Sequence, residues 1–581
     1  MSEEKVLTGI PSVDRPWMKF YPDMLMNMIK IEEVTLRQYL ENHAKNLDYV
    51  CMNFYGRELT FRQMFAEADR AAAALKAIGC KKRDQIPVFF QSVPEFIILL
   101  LAAEKIGASV LCRDNTLAEN VDAVEKSGSS VIFAHSYLSQ RDMEQYVYMA
   151  HVKKVILLDP LRDVDPENVP IYCRTNLDTF YKGRPASGPM TLTWEEFLAM
   201  GDNYAGEVEA TVNIDRPLFR CYTSGSTGTS KQVINSARNM MSLLGQMNFW
   251  AADRGTRPIW MTATLPPALV AVVVYMLILP MASDNILTLS PYCAAEDLDI
   301  EMMRVKPNGW AVIPMFCEIL MRSTRIPADY DFSHMGDTGA GSESFNNSQL
   351  KRMQKWLKDH NSNMRFSCSY GCSEACSNLT MPMSPRPYGG GYVGVPMPLT
   401  RMGIFKPGTD EELGYNTYGE ICKTGPGTML GYDDPEVTAK TLRRHADGEI
   451  WLHTGDIGMM DEHGHIIMHT RGESPRMGGG DLRILPMENK IADANIPGID
   501  DEFFVLVPDK DNLGYYLPYL YVVLNEGVKV EDVRPAIDAV LEPFERPVEI
   551  ITIDKRPFYH FKTDRINTKK DILKRTYAQR K

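Results

Sequence analysis

The chain has 581 residues, 44% hydrophobic and 24% charged, which excludes a single small module and also a disordered or fibrous protein. A formal net charge of −12 argues against general nucleic-acid binding and against docking on anionic membranes, and leaves a small molecule as the expected partner. The start, "MSEEKVLTGIPSVDRPW", has no basic segment followed by an apolar run, so neither a signal nor a transit peptide is read. Eleven scattered cysteines then fit reduced thiols and a cytoplasmic location.

In chain order, 59–80 carries apolar residues at helical spacing, 85–90 reads as a strand, 94–108 as a buried helix and "SVLC" (109–112) as a further strand. This is the βα alternation of a mostly parallel sheet. The longest apolar run, 268–282, falls short of the roughly 20 residues of a membrane span and contains Pro280, so a buried helix is expected and no integral membrane association. Short strands separated by Gly, Asp and Asn turns dominate about 400–470 and suggest a small barrel-like or antiparallel segment. At "RGESPRMGGGD" glycine and charge concentrate. The last hundred residues read as a compact α+β unit with helices at 486–494 and 530–541 and strands "FFVLVPD" and "PYLYVVL". The expected fold class is therefore α/β, with a large domain 1–471 of parallel sheets flanked by helices, a hinge at 471–473, and a small mobile α+β domain 472–581. Cys368, Cys372 and Cys376 recur every four residues, but the spacing fits no usual zinc knuckle and no histidine lies nearby, which argues against a metal site there.

The chemistry is concentrated in "CYTSGSTGTSKQV", 221–233. Such a run has almost nothing to bury, so it is a loop offering backbone N–H groups, hydroxyls and one ammonium, the equipment for wrapping a phosphate chain. A Walker-type loop fails, because Gly228 is two residues from Lys231 and Gln232 follows. The stretch instead resembles the phosphate loop of the adenylate-forming superfamily of acyl-CoA synthetases, luciferases and peptide-synthetase adenylation domains, departing from it at Ser230 and Gln232. Further stations follow in order: "GAGSE" (339–343), "YGCSEA" (370–375), "YGEICKTGPGTMLGY" (418–432), "WLHTGDIG" (451–458) and "TRGESPRMGGGDLRILPME" (470–488). The match covers nearly the whole chain and is most like an acyl-CoA synthetase.

The resemblance implies roles. Thr223, Ser224, Gly225, Ser226, Thr227, Gly228 and Lys231 would hold the phosphates of ATP, where charge grows as pyrophosphate leaves. Glu374 would be the Mg2+ ligand, a hard oxygen donor, with Ser373 beside it. Asp456 would accept both ribose hydroxyls. Gly339, Ala340 and Gly341 would lie flat against adenine, with Tyr370 of the Tyr370–Gly371 pair on its other face, and Arg471 would reach ribose or phosphate. The family ends on a lysine that reaches back to the carboxylate and α-phosphate. The best register makes it Lys562, which joins Glu374 and Thr223 as the catalytic residues, although the preceding glycine is Phe561 here; Lys569 is the alternative. Each residue alone also has a bland reading as a turn or a solvated basic helix; their joint order carries the assignment.

Amino-acid-activating relatives hold the substrate amine with an aspartate where this chain reads "TLPPALVAVVVYM" (264–276). An ammonium buried there would be unpaired and would cost several kcal/mol, so an apolar acid is expected, either a medium or long fatty acid or a bulky alicyclic or aryl acid. CoA is the first reading for the acceptor and a separate acyl carrier protein the second. A degenerate member that only senses nucleotide or acyl ligand is the reading from another class.

Overall fold

Thr60 opens the helix Phe61–Ala77 with a capping box closed by Gln63, an arrangement that satisfies two otherwise unpaired helix N–H groups. The apolar face of this helix packs on Pro94–Ile106, in which every residue but Lys105 is buried and which ends at Gly107 with φ 80°. A left-handed stop of this kind suits glycine. The computed structural model describes residues 7–210, 213–223, 230–247, 257–310, 312–336, 338–364, 366–383, 389–471, 476–477, 480–559 and 561–578.

The second of these helices packs on an eight-stranded sheet in the order Gly431–Tyr432, Gln232–Ser236, Pro217–Tyr222, Ser109–Cys112, Gln85–Phe89, Val131–His135, Lys154–Leu158, Thr191–Thr193. From Pro217–Tyr222 onward the neighbours are parallel, whereas the two pairs at the other end are antiparallel. A five-stranded sheet joins Gly309–Trp310, Ile259–Ala263, Ile286–Ser290, Val50–Phe54 and Arg57–Thr60, again parallel except for its last hairpin. These are the buried parallel sheets of an α/β protein.

The strands expected around 400–470 form an antiparallel sheet of Arg401–Phe405, Gly419–Thr424, Ile450–Met460 and Leu442–Arg444, with Ile466–Arg471 also paired to Ile450–Met460. The apolar run at 268–282 is helical, but Val272–Ile278 is wound as a π-helix before the α-turn Leu279–Ala282.

Toward the C-terminus, Ile499–Pro508, Tyr516–Leu524 and Glu549–Thr552 form a three-stranded sheet with one apolar cluster that includes Phe504 and Leu520 and another that includes Phe503 and Ile572. This unit docks on the helices Pro314–Met321 and Asn347–Asp359 through polar contacts. Asn346 Nδ2 donates to Glu502 O at 3.0 Å, Asn347 N donates to Asn489 Oδ1 at 2.8 Å, and Arg322 pairs with Asp500 at 2.6 Å. Beyond Arg471 the expected hinge lies outside the described residues. Among the described residues no helix is long and apolar enough to cross a membrane.

Candidate active site

The hairpin of Pro217–Tyr222 and Gln232–Ser236, in register Tyr222 opposite Gln232, carries the Ser/Thr/Gly loop at its tip. The two ends of the loop are laced together. Thr223 N donates to Lys231 O at 2.9 Å, Lys231 N to Thr223 Oγ1 at 3.2 Å, and Ser230 Oγ to Thr223 O at 2.7 Å. The two departures from the family pattern thus have local work: Ser230 ties the loop base, and Gln232 donates through Nε2 to the Tyr222 hydroxyl at 3.1 Å. Arg113 lies over the Tyr222 ring at 4.1 Å. Ser224, Gly225, Ser226, Thr227 and Gly228 fall outside the described residues.

Two distant segments converge on this hairpin. Gly431–Tyr432 pairs with Val233 and Ile234, which sets the Tyr432 ring 5.1 Å below the Lys231 ammonium. The Tyr432 hydroxyl donates to Glu374 Oε1 at 2.7 Å. Glu374, 8% exposed, sits on the short turn Ser373–Ala375, whose backbone is held where Glu374 O accepts from Met429 N at 2.9 Å and Ser373 O accepts from Asn235 Nδ2 at 3.5 Å. Burial, and then the adjoining Glu374 carboxylate, push the Tyr432 phenol well above its ordinary pKa, so it remains a donor to that carboxylate.

The Tyr370 hydroxyl donates to Asp456 Oδ2 at 2.6 Å, and both residues are 8% exposed. The expected face-on adenine contact of Tyr370 therefore comes with a second duty, orienting the carboxylate read as the ribose acceptor; burial followed by Asp456 raises its phenol pKa. Asp456 follows Gly455, whose φ is 74° and whose N–H donates to Glu420 Oε1 at 2.9 Å. In the strand register Asp456 faces Arg471.

The "GAG" segment is the strand Thr338–Ala340, parallel to Phe366–Cys368. Gly339 lies within it, Ala340 O accepts from Ser369 N at 2.9 Å, and Gly341 N donates to Val312 O at 3.1 Å. A Cβ on Gly341 would meet nothing nearer than Ser369 O at 3.7 Å, so no crowding by the protein demands glycine there. At Gly371 the reverse holds. An added Cβ would stand 1.9 Å from Ser377 O, so backbone packing requires this glycine independently of any nucleotide.

The two lysine candidates have different settings. Lys562 belongs to the hairpin of Phe558–Tyr559 and Lys562–Thr563. Phe561, at the family's glycine position, has φ 63°, the left-handed conformation that glycine adopts without strain, and its ring meets Phe316 edge-on at 6.4 Å. Thr563 N and Oγ1 donate to Glu343 Oε2 at 2.9 and 3.0 Å, and Arg565 Nη1 donates to Glu343 Oε1 at 2.7 Å. The arm is thereby fastened two residues from Gly341. At its root, Arg556 pairs with Asp501 at 2.7 Å, both buried. Lys569, on the helix Arg565–Ala578, lies over Tyr516 at 5.4 Å, within the small unit. Sequence reading did not single out Glu343 or Tyr432, although both stand inside motifs it quoted.

Comparison with known proteins gives consistent neighbours. Residues 40–433 match the family described as AMP-binding enzyme. The chain is 25% identical over 485 residues to 4-coumarate–CoA ligase 2 of Oryza sativa subsp. japonica, covering 81% of this chain and 79% of that one. It is 24% identical over 555 residues to the long-chain-fatty-acid–CoA ligase of Bacillus subtilis, covering 92% and 93%. In fold it resembles a benzoate CoA ligase from Burkholderia xenovorans LB400, with a TM-score of 0.72 at 14% identity over 92% of this chain and all of that one.

Proposed function

Because the chain belongs to the AMP-binding enzyme family, we propose that it is a carboxylate–CoA ligase that joins an apolar acid to AMP, releases pyrophosphate and then passes the acyl group to CoA. The observations that support this reading are three contact sets on the quoted motifs: Lys231 over the Tyr432 ring whose hydroxyl reaches Glu374, the Tyr370–Asp456 pair, and Thr563, next to Lys562, on Glu343. Backbone amides of the loop, Thr223 and Lys231 hold the β and γ phosphates. Asp456, oriented by Tyr370, accepts from the ribose hydroxyls. Lys562 brings a positive charge to the carboxylate and α-phosphate, where a bond forms to the acid oxygen as the bond to pyrophosphate breaks.

Glu374 fits a Mg2+ ligand, being a carboxylate with one oxygen already oriented by a phenol, since this ion is commonly held by one or two carboxylates together with phosphate oxygens and water. When bound, Mg2+ neutralises phosphate charge. The helical segment after the strand Ile259–Ala263 carries no charged side chain between Leu265 and Ala282, which supports an acid without an ammonium. Relatives named for 4-coumarate and for long-chain fatty acids support the same class.

The test is pyrophosphate release from ATP and Mg2+ over a panel of fatty, aryl, steroid-like and amino acids, each with and without CoA. Multiple turnover that needs one apolar acid and CoA is the expected result. A burst indifferent to CoA would transfer the role of acceptor to a carrier protein. Preference for an amino acid, or no release with any acid, would overturn the proposal.

A further inference from the structure

Away from the nucleotide-facing residues, the antiparallel sheet gathers two histidines and two carboxylates that the proposed reaction does not use. His445 directly follows the strand Leu442–Arg444, and His453 lies on its partner Ile450–Met460. Their Nε2 atoms are 2.9 Å apart. Asp410, from the turn after Arg401–Phe405, brings Oδ1 to 3.4 Å from His445 Nε2 and 3.9 Å from His453 Nε2. Both imidazoles are buried, at 9% and 5% exposure, while the Asp410 side chain is 50% exposed and leaves the cluster an opening to solvent.

From this triangle we infer a divalent-cation site, of the kind zinc prefers, formed by His445 Nε2, His453 Nε2 and Asp410 Oδ1. Tetrahedral zinc with bonds of about 2.0–2.1 Å to nitrogen and oxygen places its ligand atoms about 3.3 Å apart; the observed edges of 2.9, 3.4 and 3.9 Å bracket that value. The rings are already aimed. His453 Nδ1 faces Glu420 Oε2 at 2.9 Å, a carboxylate that fixes the proton on Nδ1 and leaves a lone pair on Nε2, as in the carboxylate–histidine–metal arrangement. His445 is stacked on Trp451, with ring centroids 5.4 Å apart at 18°, and meets Phe405 at 5.0 Å. Without a cation, the Nε2–Nε2 contact requires a proton on one of these two nitrogens. The metal takes that proton's place.

Two carboxylates face the histidines, and one cation lies close enough to compete with a metal for Asp410. Asp410 and Glu420 are opposed by Arg443, whose Nη1 is 3.7 Å from Asp410 Oδ1. Cys422 Sγ lies 3.4 Å from His453 Nδ1, on the side already taken by Glu420, and burial raises its thiol pKa far above the ordinary value. The nitrogen–oxygen set on the Nε2 side is therefore the ligand set. Glu420 also accepts from Gly455 N, so an ion here would stiffen the backbone that presents Asp456.

The experiment uses the full chain, stripped with a chelator and returned to millimolar Mg2+ so that hard-ion sites are filled, and titrated with Zn2+ and separately with Co2+. One equivalent of each should bind. His445→Gln and Asp410→Asn should each weaken binding at least about tenfold, and zinc-edge absorption should show only nitrogen and oxygen neighbours at about 2.0–2.1 Å. Asp410→Asn changes a half-exposed side chain, so it reports on the site even if the buried His445 variant misfolds. Absence of binding by the wild-type chain, equal binding by Asp410→Asn, or a sulfur neighbour at about 2.3 Å, marking one of the eleven cysteines as the ligand, would each overturn the assignment.

Discussion

Replacing Glu343 by alanine tests whether the Lys562 arm does chemistry in the position seen here. Glu343 accepts two bonds from Thr563 and one from Arg565, and its side chain is 12% exposed against 27% for Arg565. Each of the three bonds ends on a carboxylate, and at about 1.5–2 kcal/mol apiece the gross loss is about 5 kcal/mol. Part of this is recovered, because Arg565 keeps Glu488 at 2.8 Å and Phe504 O at 3.1 Å, so its charge is not orphaned. A net loss of about 2–3 kcal/mol remains, which lowers the population of the fastened arm about 30- to 150-fold relative to the released one. Acid-dependent pyrophosphate exchange reads the adenylation half-reaction, and acyl transfer from preformed acyl-adenylate to CoA reads the second. We expect exchange to fall about tenfold or more while transfer stays within about twofold. Exchange equal to wild type, or equal losses in both half-reactions, would refute the idea that this clasp serves adenylation.

The lysine register is decided by two variants: Lys562→Ala should depress pyrophosphate exchange at least about 100-fold, whereas Lys569→Ala should leave it within about twofold, and the opposite ranking would make Lys569 the reaching residue. Burial lowers the pKa of Lys423, 1% exposed and donating to Pro426 O, from 10.5 to about 8. The unfolded chain therefore holds more protons between these values, and wild-type stability should rise with pH across that window. Lys423→Met should accordingly raise unfolding free energy at neutral pH by about 1–3 kcal/mol, a gain that shrinks toward about pH 10; denaturant titrations at both pH values showing a constant difference would contradict the burial argument. Ala271→Phe, at a partly exposed position one turn before Tyr275 on the wall proposed for the acid, should lower kcat/KM for bulky acids at least about tenfold while sparing short ones, on the overpacking argument. Equal effects on short and long acids would remove this helix from the pocket.

Much of the fold was legible because its elements obey local rules. The helix Phe61–Ala77 announces itself by spacing and by Thr60 and Gln63, and the strands from Gln85 to Cys112 by apolar runs between turns. The π winding of Val272–Ile278 was not legible, since an all-apolar stretch has the same composition in either helix. At the site, motif order brought Glu374 and Asp456 forward, but their partners came from elsewhere in the fold. Tyr432 reaches Glu374 across 58 positions, and Tyr370 reaches Asp456 across 86. Gly371 stands in a motif read for nucleotide binding, and its neighbour Ser377 O already demands a glycine there on packing alone. The histidine cluster was invisible for the same reason: His445, His453 and Asp410 follow no metal-binding spacing and meet only because the turn after Phe405 folds over the Leu442–Arg444 hairpin.

A π-helix carries more residues in each turn than an α-helix, and Val272–Ile278 does so between the strands Ile259–Ala263 and Ile286–Ser290, which are parallel and in direct register. Loss of a single codon within it would relax the winding to α and withdraw one side chain from the widened turn, while the residues on either side keep their facing and neither strand shifts. Descendants of this gene can therefore alter the wall proposed for the acid by changing length instead of composition. Among related ligases, one-residue gaps at this helix should track acid preference more closely than substitutions along it.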